Sequence, residues 1–362
     1  MRTGASSTEV DVTEVDGTEV DAMRRALELA ADPLVRPGAN PRVGCVLLSS
    51  DGRVVAEAAH QGAGTAHAEV AALAAAGDRV SEVTTAVVTL EPCDHTGRTG
   101  PCSTALVDAG VRRVVHALDD PTAEAAGGAA RLRAAGVEVV GGVLADEAAA
   151  LDPDWFAAAR LGRPHVTWKV ASTLDGRVAA ADGSSRWVSG PASRRDAHRV
   201  RAQVDAVLAG TGTVLHDDSQ LSARDADDVP LPIARQPLRA VMGLRPVPPG
   251  ARVLDDTAPT EVLVTRDPAA ALERLWNLGV RRLLLEGGPT LAAAFWRSGL
   301  VDRLTVYLAP SLLGAGRPAV PDLGIATIAD QARLDITDVR RCGTDLRITA
   351  VPRVRTAEEE TD

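Results

Sequence analysis

His67-Ala68-Glu69, Pro92-Cys93 and Pro101-Cys102 are the residues of this chain whose types and spacing can do chemistry. One imidazole and two thiolates make a three-ligand zinc set with a fourth position left for water, as in catalytic rather than structural zinc sites. Such a metal lowers the pKa of water toward neutrality and supplies hydroxide at physiological pH. Glu69, near the start of a helix, can point into the same pocket without binding the metal. From there its carboxylate can take a proton from the water and pass it to a leaving nitrogen. H-x-E followed by P-C and a second cysteine is the pattern of zinc deaminases that act on nucleobases. The eight residues between Cys93 and Cys102 depart from the short C-x-x-C spacing of that pattern.

Three readings of Cys93 and Cys102 compete: a disulfide loop, buried apolar thiols, or metal ligands. Four cysteines in 362 residues make no disulfide framework, and the order H-A-E, strand, P-C, loop, P-C, helix favours metal. Cys45 and Cys342 lie in strand-like apolar runs and read as core residues.

The elements that must position these groups follow from periodicity. VGCVLLS, VVAEAAH, TAVVTL, RRVVHAL and VEVV read as strands, and HAEVAALAAAG, CSTALVDAG and GAARLRAAG as helices. Gly77, Gly110 and Gly136 stand where helix C-termini belong. The alternation predicts an α/β layered domain over residues 22–145. Asp21 is the expected N-cap of a helix over 22–31, behind an acidic, disordered tail, 1–21, in which TEVD occurs three times. Residues 146–164 read as a connecting helix ended at Arg163-Pro164. A second α/β pattern, starting at HVTWKVA, spans 165–352, with polar loops at 216–237 and 246–260. Residues 353–362 form a tail. No repeat relates the halves, which predicts two domains with different tasks.

Hydrophobic residues at 45% and charged residues at 24% suit a globular chain with a real core. A net charge of −10 disfavours nucleic acid and anionic lipid as partners. No apolar run is long enough to span a bilayer, and no secretory signal is visible, so a cytoplasmic location is expected. Lys169 is the single lysine among 39 basic residues.

Taken together, NPRVGCV, HAE and TLEPCDHTGRTGPC resemble the deaminase domain of the bifunctional riboflavin-biosynthesis deaminase-reductase. The long cysteine spacing is characteristic of that family, and the resemblance covers the chain apart from its tails. It implies a cytidine-deaminase-like three-layer α/β/α domain followed by a dihydrofolate-reductase-like α/β domain. It implies Zn2+ on His67, Cys93 and Cys102, with Glu69 as the catalytic proton shuttle. The implied substrate is a small pyrimidine ribosyl phosphate, a 2,5-diamino-6-ribosylamino-pyrimidinone 5′-phosphate, that loses a ring amine as ammonia. Asn40, His60, His95 and Arg98 are then candidates to hold the pyrimidine and its phosphate. Ala39 and Gly100 stand where the family often has proline, which bears on loop rigidity.

LLLEGGPTL is a strand, a Gly-Gly-Pro turn and a helix start, which exposes backbone N–H groups suited to a pyrophosphate without being G-x-G-x-x-G. With WKVASTLDGRVA, SRWVSG and VDAVLAGTGTVLHDDSQLSAR it resembles the reductase of the same family. The resemblance implies NADPH as donor of the hydride that reduces the ribosyl group to ribityl. It puts Ala171, Trp187, Thr213, Asp217, Gly288, Pro289, Thr290, Leu291, Ala292, Ala293 and Ala294 at the cofactor. It puts Ser185, Arg201, Leu221, Arg224 and Glu286 at the substrate, and Lys169 is expected to line the same cleft. Arg201 and Arg224 are expected to pair with the 5′-phosphate. Trp187 either stacks on a nucleotide or belongs to the core, and Arg245 or Arg266 can select the 2′-phosphate. Thr173, Ser219 and Gly243-Leu244 depart from the usual family residues, the last at a cofactor contact.

Family members commonly self-associate, so a homo-oligomer is a further expectation. Two other readings stay open. One is a nucleoside or tRNA deaminase with an accessory domain, against which the acidic charge and the cysteine spacing count. The other is a non-catalytic zinc-binding scaffold, against which Glu69 counts.

Overall fold

The structure, a computed structural model, describes residues 15–32, 35, 38–95 and 100–353. It divides into two compact units, Met1–Gly162 and Arg163–Asp362.

In the first unit, α1 (Gly17–Ala30) precedes β1 (Gly44–Ser49), β2 (Val54–Ala59), α2 (Ala68–Ala76), β3 (Val83–Leu90), α3 (Cys102–Asp108), β4 (Arg113–Leu118), α4 (Gly128–Ala134), β5 (Glu138–Val140), α5 (Ala145–Leu151) and α6 (Pro153–Leu161). The strands form one sheet in the order β2-β1-β3-β4-β5. β1 is antiparallel to both neighbours, and β3, β4 and β5 run parallel. Side chains alternate between faces along each strand. Cys45 and Leu47 meet Ala68, Ala72, Leu106 and Leu132 of α2, α3 and α4, while Val46 and Leu48 meet Met23, Ala26 and Ala148 of α1 and α5. The result is the expected three-layer α/β/α domain. Gly44 allows α1 to lie directly on β1, because a Cβ there would come within 2.0 Å of the Ala26 carbonyl oxygen.

Two boundaries differ from expectation. The first helix begins at Gly17 and its N-cap is Asp16, not Asp21. Asp16 accepts from the Glu19 N–H and Glu19 from the Asp16 N–H, a capping box that draws the third TEVD copy into the helix. Residues 1–14 lie outside the described residues. The connecting helix is two helices, broken at Asp152, because Pro153 cannot continue α5 but suits the first position of α6.

The second unit contains β6 (His165–Thr173), β7 (Arg177–Ala179), α7 (Pro191–Gln203), β8 (Ala206–Gly210), α8 (Thr211–Asp217), β9 (Leu238–Met242), β10 (Thr260–Leu263), α9 (Pro268–Asn277), β11 (Arg282–Leu285), α10 (Pro289–Arg297), β12 (Arg303–Ala309), β13 (Arg317–Pro318), β14 (Leu334–Cys342) and β15 (Asp345–Pro352). An eight-stranded sheet runs β10-β9-β8-β11-β6-β12-β15-β14, and β7 pairs with β13 apart from it. From β10 to β12 the strands are parallel, and β15 and β14 add an antiparallel hairpin. Leu272, Leu275 and Phe295 of α9 and α10 cover Trp168, Leu208 and Leu283, and Val214 of α8 packs with Val207, Ala209 and Leu284 on the other face.

TGTV opens helix α8, and β14 and β15 form a hairpin over 334–352, where the sequence assigns no element. In β14, Ile336 stands opposite Ala350 and Asp338 opposite Thr349, so Thr337 is an extra, bulged residue. The bulge puts Leu334, Ile336 and Val339 on one face of this edge strand, where they are 37%, 64% and 55% exposed.

Two candidate active sites

In the first unit each ligand-type residue sits at an element boundary. His67 is the N-cap residue of α2, Cys93 lies just past β3, and Cys102 opens α3. His67 Nδ1 is 3.5 Å from Cys93 Sγ and 3.3 Å from Cys102 Sγ, and the three ligand atoms lie within 4.8 Å of one another. Tetrahedral zinc, with bonds of ~2.0–2.1 Å to nitrogen and ~2.3 Å to sulfur, needs N···S edges of about 3.6 Å. The donor set and its spacing therefore fit zinc. The Cys102 N–H also points at Cys93 Sγ, at 3.5 Å. Hydrogen bonding from Cys102, and then from His67, holds the Cys93 thiol well below its ordinary range against the opposing effect of burial.

Glu69 lies in the first turn of α2 and is only 3% exposed; burial pushes its carboxyl up to about 7. His60 is buried with both ring nitrogens engaged. Nδ1 meets the Ala66 carbonyl oxygen at 3.0 Å, and Nε2 meets the Asn40 amide nitrogen at 2.9 Å. A carbonyl can only accept, so His60 carries its proton on Nδ1 and accepts from Asn40 on Nε2. His60 thus orients Asn40. Its ring stands edge-on to His67 with centroids 5.5 Å apart. The His95 ring is 6.4 Å from that of His67, and its Nδ1 is buried with no hydrogen-bond partner among the described residues. Arg98 lies outside the described residues. Two further acids that no spacing singles out stand near this site, buried Glu91 and half-buried Asp120.

The second set gathers where β8, β9 and β11 end. Thr213 Oγ1 accepts from the Gly288 N–H at 3.3 Å and ties α8 to the turn before α10. Gly288 is the N-cap residue of α10 and Pro289 its first residue. Gly287 must lack a side chain, since a Cβ would come within 2.6 Å of Leu291. Ala292 and Ala293 are buried in the core, so only their backbone can meet a ligand; Leu291 and Ala294 are half-buried and Thr290 is exposed. A Cβ on Gly212 would lie 3.2 Å from Arg245 Nη2, which places this guanidinium on the first turn of α8. Arg266 follows β10, one strand further out.

Glu286, just past β11, has a side chain that is 6% exposed and sits between two cations. Lys169 Nζ is 3.0 Å from Oε2, and Arg201 Nε and Nη2 are 2.6 and 2.9 Å from Oε1 and Oε2. Burial pushes the carboxyl up, but Arg201 and Lys169 outweigh it and hold Glu286 well below the usual carboxylate range. Arg201 Nη1 donates to the Ser222 carbonyl at 2.9 Å, so the guanidinium expected on a phosphate is occupied within the protein. Arg224 donates to Gln220 Oε1 at 2.6 Å and to the Asp228 carbonyl at 2.7 Å. His198, which no motif singles out, faces the same Ser222 carbonyl at 3.2 Å.

Trp187 is not a core residue: it is 68% exposed, with the Arg194 guanidinium 4.5 Å from its ring centroid. Ala171 lies on β6 on the same side as Lys169, and Ser185 is half-buried in the loop before Trp187. Leu221 is buried with φ +57° in the loop that carries Arg224, and Asp217 closes α8 beside His216.

These geometries agree with what the chain resembles. The profile of the cytidine and deoxycytidylate deaminase zinc-binding region matches residues 17–118, and that of the RibD C-terminal domain matches residues 164–348. Riboflavin biosynthesis protein RibD of Mycobacterium tuberculosis is 48% identical over 315 residues, 86% of this chain and 91% of that protein. The Escherichia coli protein of the same description is 38% identical over 360 residues, covering 90% of this chain and 96% of its own. Among solved structures, Acinetobacter baumannii RibD aligns with a TM-score of 0.84 and 37% identity over 93% of this chain and 99% of that one. The Thermotoga maritima diaminohydroxyphosphoribosylaminopyrimidine deaminase/5-amino-6-(5-phosphoribosylamino)uracil reductase aligns with a TM-score of 0.80 and 29% identity over the same shares. A zinc-binding deaminase domain and a reductase domain that calls for a nicotinamide cofactor thus share one polypeptide, and the chain belongs to the RibD family of bifunctional riboflavin-biosynthesis enzymes.

Proposed function

We propose that the two sites act in turn on a 2,5-diamino-6-ribosylamino-pyrimidinone 5′-phosphate, with NADPH as the reductant of the second step. The approach of His67, Cys93 and Cys102 to within 4.8 Å, beside buried Glu69, carries this reading. Zinc held there supplies a Lewis acid that brings the pKa of water toward neutrality. Glu69 takes the proton that the attacking water gives up and hands it to the departing ring amine, which leaves as ammonia. Asn40, its amide nitrogen held by His60, presents its oxygen to a donor on the pyrimidine edge. His95 and Arg98 are candidates for the remaining ring and phosphate contacts.

In the reductase, NADPH supplies the hydride. The backbone of Gly287, Gly288 and Pro289 at the start of α10 receives the pyrophosphate, with Thr213 fixing that turn. The exposed Trp187 ring is the candidate stacking face, and the nearness of Arg245 to the first turn of α8 supports it over Arg266 for the 2′-phosphate. Lys169 and Arg201 hold Glu286 ionised and oriented to accept from ribose hydroxyls or a ring N–H. Arg224 receives the 5′-phosphate by exchanging its contacts with Gln220 and Asp228.

The chain also fits a second copy of itself at β14. Two such strands laid antiparallel, with Ile336 opposite Val339, bring Asp335 opposite Arg340 twice over. The strand is thus complementary to itself in both apolar and charged positions.

A coupled assay on the purified protein tests the main reading. Ammonia is released without NADPH, and NADPH is oxidised only afterwards. Glu69→Ala loses ammonia release and keeps its zinc; loss of zinc in that variant overturns the non-ligating role of Glu69.

A further inference from the structure

Glu91 precedes Pro92-Cys93, and nothing in the reaction as described above uses it. Its carboxylate is nonetheless buried and fully engaged. Oε2 accepts from the Asp120 N–H at 3.1 Å, and Oε1 accepts from the Gly127 N–H at 3.2 Å and the Ala129 N–H at 2.9 Å. None of these donors belongs to a strand ladder. They come from the segment that follows β4 and from the first turn of α4, a stretch the backbone also fastens at both ends. The Glu91 N–H donates to the Leu118 carbonyl at 2.7 Å, and the Asp94 N–H to the Ala125 carbonyl at 3.1 Å.

Gly127, the N-cap position of α4, has no side chain to satisfy the first amides of the helix, and Glu91 supplies the acceptor from across the sheet. The approach is close enough that a Cβ on Gly128 would come within 1.6 Å of the Pro92 carbonyl oxygen. The same stretch is held from the other side: the Ser103 N–H donates to the Cys93 carbonyl at 3.2 Å, and Ser103 Oγ to Asp94 Oδ1 at 2.7 Å. Cys93 therefore stands between two fixed points, Glu91 upstream and Asp94–Ser103 downstream.

We propose that Glu91 is a positioning residue of the deaminase. By clamping the β4–α4 segment to the end of β3, it fixes the chain path that aims Cys93 Sγ at His67 and Cys102. A free chain end at this point would let Cys93 swing, and the metal would have to order it on binding. A pre-fixed Cys93 makes the ligand set high in affinity and rigid during turnover. The inference rests on zinc being the resident metal.

Glu91→Gln is the decisive variant. It keeps size and shape and can accept from Gly127 and Ala129, but it turns an amide NH2 toward the Asp120 N–H. The measurements are the rate of zinc transfer from the intact protein to a chromogenic chelator, kcat and KM for ammonia release, and NADPH oxidation on supplied deaminated intermediate. The expected result is zinc release on the order of tenfold faster, kcat for ammonia release lowered more than KM is raised, and unchanged NADPH oxidation. Glu91→Ala shows a larger effect of the same kind, and so does Gly128→Ala, which pushes α4 off Pro92 from the other side. Wild-type zinc release in Glu91→Gln overturns the proposal. So does a lowered melting temperature with zinc release unchanged, because Glu91 then serves only the fold. A wild-type protein that carries no zinc overturns the zinc reading itself, which metal analysis shows before any variant is made.

Discussion

Arg201 and His67 mark the two ends of what a single residue reveals. His67 was legible because histidine and cysteine are scarce and their order along the chain is distinctive. Arg201 is one of many arginines, and its partner Glu286 lies 85 positions away. No spacing announces such a pair, so the carboxylate that Arg201 meets in the fold is not read alongside the phosphate expected on it. The choice between Arg245 and Arg266 was closed to the sequence for the same reason. Arg245→Gln is expected to weaken NADPH binding by about 2 kcal/mol, roughly thirtyfold, and to leave NADH unchanged, while Arg266→Gln changes neither. Fluorescence titration with both nucleotides reads this. A preference for NADPH that survives Arg245→Gln removes the assignment, and a wild type without preference removes the NADPH reading.

His198 gives a pH dependence. Burial, reinforced by the charge of Arg201, lowers it to about 4, so it stays neutral in the fold. The unfolded chain protonates it near its ordinary value of about 6.5. Its contribution is therefore complete above that value and is lost as pH falls toward 4. Glu286, depressed by its two cations, keeps its contribution through most of this window and starts to lose it only at the acid end, as pH falls through the ordinary glutamate value. The urea midpoint of the second unit should fall between pH 6.5 and 4, and His198→Gln should flatten that slope; an unchanged slope points to another group.

At the scale of elements, the sequence carried those with a buried face. β1 and β3 show apolar runs, and their order came through correctly. β14 escaped notice because nearly every residue along it is exposed, so no period marks a core face. α8 escaped notice because TGTV reads as a turn. Burial of Val214, and a glycine at 243 where a Cβ would come within 2.4 Å of Thr211 Oγ1, are what let it form a helix there. Close approach also governs α1, which makes Gly44 a sensitive point. Gly44→Ala should push α1 off β1 and cost about 1–3 kcal/mol. Thermal melting should show the first unit unfolding earlier, with NADPH oxidation by the second unit unchanged. A wild-type melt would mean that α1 shifts without cost.

For the whole molecule, each unit has its own sheet, core and candidate site, which is why two dissimilar halves are legible in the sequence. The homo-oligomer expected from the sequence came with no surface, because the β14 pairing proposed above depends on which residues share a face of that strand. Asp335→Arg should set like charges opposite each other in both symmetric pairs, at a cost on the order of 1 kcal/mol each, and shift the protein toward monomer. Adding Arg340→Asp should restore association. Sedimentation reads both, and a double variant no better than the single one sinks the β14 pairing.

The bulge at Thr337 has a genetic consequence. Strand faces are a matter of parity, and one surplus residue resets the count. Loss of the Thr337 codon would remove only that surplus, leaving Ile336, Asp338 and Val339 in plain alternation with Ile336 and Val339 still on one side of the sheet. Neither catalytic pocket would lose a residue. A three-nucleotide deletion here would therefore keep the apolar stripe, where the same deletion in an unbulged stretch of strand would break it.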